Sequence, residues 1–228
     1  MATPPTIPSQ NIDQAGSGTS VVVGSLTTLS PQTDDVIVII GGLDGNSASP
    51  SVNNGTWTHN VNLDANECEL HVFTRRAGAS ESGNVTVSWT GIEGYVWHIF
   101  LVRGVRTTSG ITFGTTNSGS STTATALSVT PTTDNNLIVA FFAGDRDRIT
   151  NDQSTGGTGW TTITLHQSGG ANGSWSGFST RADHSQTAST NATHTLSSGD
   201  GWHGVQAIFI PDQTGGGGFA HSQAVIIS

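Results

Sequence analysis

The hydrophobic pattern is that of strands throughout. Two apolar runs dominate, each fed by a polar turn. Pro31-Gln32-Thr33-Asp34-Asp35 leads into Val36-Ile37-Val38-Ile39-Ile40-Gly41-Gly42-Leu43-Asp44, and Pro131-Thr132-Thr133-Asp134-Asn135-Asn136 leads into Leu137-Ile138-Val139-Ala140-Phe141-Phe142-Ala143-Gly144-Asp145. Pro with Asp or Asn makes a turn, and an unbroken β-branched and aromatic run makes a strand buried on both faces. Around these runs lie shorter segments. Val21-Val22-Val23 comes first, 69–77 and 85–89 alternate apolar with polar residues, and 95–102 ends at Arg103-Gly104-Val105. Alternation predicts a strand with one wet face, which puts His71 and His98 on wet faces. No window holds a 3.6-residue period, so helix content is expected to be very low.

The second half replays the first. Residues 125–129 and 137–145 answer 21–23 and 36–44, and Gly159-Trp160-Thr161 answers Thr56-Trp57-Thr58. Phe178–Ala182 answers Phe73–Ala77, Asn191–Leu196 answers Asn84–Trp89, and Gly204–Ile210 answers Val96–Leu101. The same order at a drifting offset of roughly 100 residues reads as an internal duplication. Five or six short strands per half predict an all-β sandwich or jelly roll built from two pseudo-repeated halves. The expected layout is an N-terminal arm over 1–18, a first half over 19–105, a connection over 106–124, a second half over 125–212, and a glycine linker with a strand-like tail over 213–228. One globular unit is favoured over two sandwiches side by side, since the connection is short.

Composition narrows the function. Only 10% of the 228 residues are charged, and Ser, Thr, Asn and 30 Gly take their place. Such a surface packs against neighbours with little charge to desolvate. The net charge is -9, and all seven basic residues are Arg. An acidic chain without Lys argues against nucleic acid as a partner. The start has neither a basic nor an apolar leader pattern, and no run is long enough to span a bilayer. The expectation is a protein made without a signal peptide, and no membrane partner. Cys68, the single cysteine, lies between Glu67 and Glu69 and reads as an inert thiol.

Candidate chemistry is sparse. No nucleophile elbow, metal-ligand spacing or calcium loop is present, and the four Glu (67, 69, 81 and 93) lack an apolar setting that would raise one pKa. The expectation is no enzyme, no catalytic residue, no cofactor and no metal. Trp57 and Trp160 recur in both halves and read as packing residues. Trp175 and Trp202 have no counterpart, and with Asp145 and Asp147 of the loop Asp145-Arg146-Asp147-Arg148 they are the candidates for a glycan platform. The tail after Gly215–Gly218 carries Phe219, Val225, Ile226 and Ile227. This tethered apolar peptide either adds to a neighbour's sheet edge or folds back on its own sandwich. With Ile7 of the arm, these are the candidate partner-binding residues.

The order of motifs resembles a duplicated β-sandwich domain of tailed-bacteriophage virion surface proteins, of capsid decoration, head or tail accessory type. The elements that carry it are Asp34–Ile40, Gly55-Thr56-Trp57-Thr58, Phe73–Ala77 and Arg103-Gly104-Val105, with their second-half echoes across about 18–212. The richness in Ser and Thr and the tethered tail depart from the pattern. The resemblance implies a virion surface location. The resulting expectation is a non-enzymatic capsid decoration or cement protein, a symmetric oligomer such as a trimer. It would bind the major capsid protein or other virion proteins through its terminal arms. The alternative is a glycan- or receptor-binding module on a head fibre or tail.

Overall fold

The computed structural model describes residues 2–45, 49–65, 67–145, 159–168, 173–183, 186–197 and 199–212. In chain order the strands are β1 (Gln10–Ser25), β2 (Val36–Asp44), β3 (Ser51–Val52), β4 (Thr58–Ala65), β5 (Cys68–Arg76), β6 (Asn84–Val102) and β7 (Ile111–Phe113). They continue with β8 (Asn117–Gly119), β9 (Thr123–Ala126), β10 (Asn136–Asp145), β11 (Thr161–Gln167), β12 (Ser174–Asp183), β13 (Ala192–Thr195) and β14 (Trp202–Phe209). The one described α-helix, α1, is the single turn Leu26–Leu29. The fold is all-β and antiparallel.

Two main sheets share one strand order. The first runs β1-β6-β2-β5-β4 and the second β11-β12-β10-β14-β7, with β3 added to β6 and β8 to β14. The long apolar runs sit at corresponding places, β2 between β5 and β6, and β10 between β12 and β14. The turns before them match in backbone detail. Asp34 (φ 70°) and Asn135 (φ 60°) both adopt the left-handed conformation that Asp and Asn tolerate best. Asp35 then accepts the Gln32 N–H at 2.8 Å, while the Asn136 amide donates to the Thr133 carbonyl.

The two sheets pack face to face over one shared core. Val36, Val38, Ile40, Val72, Phe100 and Val102 meet Leu137, Val139, Phe141, Phe178, Val205 and Phe209 across it. Phe100 stacks on Phe178 with centroids 4.3 Å apart. At one end of this interface the residues turn small. A Cβ on Gly42 would come within 2.8 Å of the Trp175 carbonyl oxygen, so glycine there sets how closely the sheets approach.

Each main sheet also carries an outer layer, and here the halves diverge. In the first, Gly18 pairs with Glu93 but Ser20 with Ser88, so Trp89–Ile92 bulge out. Beyond this bulge the same two strands continue as the outer layer, and Val23, Val85 and Val87 pack with Ile37 and Ile39 of β2. In the second half the corresponding layer is a separate two-stranded sheet, β13-β9. Ala124, Ala126, Ala192 and Leu196 bring it onto Ile138, Phe142 and Trp175.

Several sequence expectations change. Residues 10–18 are part of β1 rather than a free arm, and Thr6 pairs with Arg103 ahead of it. Segments 85–89 and 95–102 are one strand, and 69–74 are buried on both faces, because outer layers cover what alternation marks as wet. The tail 213–228 lies outside the described residues.

Candidate functional site

The ionisable and aromatic groups gather in three places, all fixed by strand position. On β5, Leu70 and Val72 point into the shared core, so Glu69 and His71 point to the outer face. Both are fully buried. His71 Nε2 lies 2.6 Å from Glu69 Oε2, and its Nδ1 lies 3.2 Å from Nε2 of His59 on the edge strand β4. A line of three groups therefore runs from a buried carboxylate to an exposed imidazole. Partial desolvation by its neighbours and the adjacent His71 lower the His59 pKa to about 4. The ring of His71 lies parallel to Trp97 at 6.0 Å, and a Cβ on Gly41 would strike that indole, so glycine makes room for it.

The second place is the small-residue end of the interface between the sheets. His98 of β6 and His203 of β14 are both buried there. His98 Nε2 faces the Ser176 carbonyl at 3.3 Å, and the Ser176 hydroxyl donates to the Val96 carbonyl at 2.9 Å. His203 Nε2 lies 3.0 and 3.1 Å from the Ala65 and Cys68 carbonyls. Desolvation lowers the pKa of both imidazoles, that of His98 to about 3. Cys68 is buried beside them, and burial with the nearby Asp145 carboxylate pushes its thiol up, away from reactivity.

The third place is the core beneath β13. His194 is 1% exposed, and among the described residues neither ring nitrogen has a hydrogen-bond partner. Its ring meets Phe142 edge-on at 4.2 Å, and desolvation alone lowers its pKa to about 3.

The residues singled out from the sequence fall differently from expectation. Trp175 and Trp202 are buried in the second outer core and offer no ring face to a sugar. Each follows glycine-rich sequence, as an exposed platform would, but the β13-β9 layer lies over that core. Asp145 ends β10 with 2% exposure, and Asp147 lies outside the described residues. Ile7, partly buried, packs against the shared core of its own chain. Phe219, Val225, Ile226 and Ile227 lie outside the described residues. His71 and His98, expected on wet faces, are buried. Trp160 is buried and Trp57 half-buried, with Arg75 5.0 Å over the Trp57 ring and bound to Glu81 by two hydrogen bonds. The line Glu69–His71–His59 was missed. Its only sequence signal is Glu69 and His71 two residues apart on one strand, which share a face.

Among the described residues no three of His, Cys, Asp and Glu gather closely enough to hold a metal ion. A groove of about 380 Å³ lies where β1 passes α1, lined by Ser9, Gln10, Val22, Ser25, Leu29 and Asn84. Comparison with protein-family models, characterised proteins and solved structures finds no match to this chain.

Proposed function

We propose that this chain is a non-enzymatic structural protein of a virion surface, a decoration or cement protein that binds the outside of a phage capsid. The observation that carries the reading is the direction in which its chemistry faces. Glu69, His71, His98, Asp145, His194 and His203 are buried, as are Trp97, Trp175 and Trp202. The outer surface is left to Ser, Thr, Asn and Gly with few charges. Such a surface suits broad packing against protein neighbours, where each desolvated charge would cost binding. The resemblance in motif order supports the location. Contacts made only in the assembled shell would stabilise it by mass action.

With residues 10–18 committed to β1, the tail 213–228 is the capsid-binding element in this proposal. The test is binding to capsids stripped of surface proteins, comparing the full chain with a chain ending at Asp212. Saturable binding of the full chain at fixed stoichiometry, lost in the truncation, is expected. Absence of binding by the full chain overturns the proposal.

A further inference from the structure

His194 sits where a histidine is poorly served. The side chains around it are apolar: Phe142 from β10, Trp175 from β12, Ala124 opposite it on β9, with Ala192 and Leu196 beside it. None of these carries charge, and burial is the sole cause of its lowered pKa. His203 of β14 points through the opposite face toward Ala65 and Cys68. A protonated imidazole at position 194 would hold two N–H donors and a charge with nothing to receive them. The ring can reach water only if its own strand moves.

That strand belongs to the thinnest part of the fold. β13 and β9 are four residues each and pair only with one another. Other ties are few. The Gln206 amide donates to the Ala126 and Thr190 carbonyls, Asn117 to the Thr125 carbonyl, and Leu196 N–H to the Thr122 carbonyl. The corresponding first-half layer is continuous with β1 and β6, and where the second half has His194 the first has Val87, equally buried.

We infer that the β9–β13 layer is an acid-released clasp, which His194 opens on protonation to bring Phe142, Trp175 and Trp202 to the surface. The inference stands apart from the capsid reading, since it concerns the chain alone.

The direction follows from linkage. The closed layer holds His194 neutral down to about pH 3, whereas in the open layer it titrates near 6.5. The open state therefore takes up the proton, and opening is favoured as pH falls below 6.5. Between pH 7.5 and 5.0 the open fraction should rise about 30-fold, the ratio set by a free imidazole at pKa 6.5.

The experiment is amide hydrogen exchange on the full chain at pH 7.5 and 5.0, corrected for intrinsic rates. Amides of 123–126 and 192–195 should lose protection about 30-fold at pH 5.0 while remaining less protected than those of β10. His194→Val, which copies the first half, should abolish this pH dependence; His194→Leu serves if that variant does not fold. A change below threefold in the natural chain overturns the inference, as does the same 30-fold change in the variant. Protection equal to that of β10 at both pH values would also overturn it, because the layer would then open only with the whole fold.

Discussion

The two halves place the same strands in the same order and finish them differently. In the first, the outer layer is an extension of the strands that build the main sheet, so layer and sheet are joined by two continuous backbones. In the second, the strand segments are cut, and β9 and β13 are held by one another, by side-chain hydrogen bonds from Asn117 and Gln206, and by the side chains beneath them. On the layer side the first outer core is filled by Val23, Val85, Val87 and Trp89; the second by three alanines, Leu196 and His194, set over Phe142, Trp175 and Trp202 of the main sheet. One topology thus yields a stapled half and a lightly covered half. Ladder continuity, rather than strand order, decides how firmly a layer is held.

Acid should bring out the difference most strongly. His98 and His194 have folded pKa values lowered to about 3, so both must be neutral in the native state. Their contribution is complete above pH 6.5 and is lost as pH falls from 6.5 toward 3. At pH 4 His98 should cost about 3 kcal/mol of stability, and His194 adds at most the cost of opening its own layer, through which it protonates while the core stays folded. Urea unfolding followed at pH 7.5 and 4.0 measures this, and an unchanged midpoint would show that the histidines are hydrated in the native state.

Phe100→Ala tests whether the halves stand or fall together. Its ring is shared between the sheets, and deletion should cost about 4 kcal/mol. A single shifted transition by both near-ultraviolet and far-ultraviolet circular dichroism is expected. Two separated transitions would mean that the halves are independently stable.

Val87→His transfers the weakness to the stapled half. Burying an unpartnered imidazole there should cost about 2 kcal/mol at pH 7.5. The cost should be larger at pH 5, and amides 20–25 should show the new acid-dependent exchange. If only those of 192–195 respond, ladder continuity is the stronger determinant.

The smallest effect concerns the paired turns. Asp35 receives three hydrogen bonds from the Arg103 guanidinium, at 3.0, 3.2 and 2.7 Å, whereas Asn136 bonds within its own turn. Arg103 is partly exposed, so screening limits the pair, and Asp35→Asn should cost about 1 kcal/mol. The loss should shrink in 1 M salt, where charge is screened.

Much of the fold was legible in the pattern. The uninterrupted runs of β2 and β10 identify strands covered on both faces, and the Pro-Asp turns before them mark where they begin. What misled was alternation. His71, His98, Trp175 and Trp202 stand at positions where local sequence implies a wet or open face. Solvent is kept from them by segments far away in the chain, the outer layers and the opposing sheet. Burial of this kind is a long-range property, and the period-two signal describes only the strand itself.

By itself the sequence determined an all-β chain with two matching series of strands, few charges and little overt chemistry. Those features follow from local dihedral preference, turn residues and composition. Only the tertiary structure decided that the sheets share one core, that residues 10–18 join it, and that the histidines are buried. It also decided that β9 and β13 stand apart from their sheet. Each of these depends on which distant surfaces meet, and the hydrophobic effect rewards buried area without regard to separation along the chain.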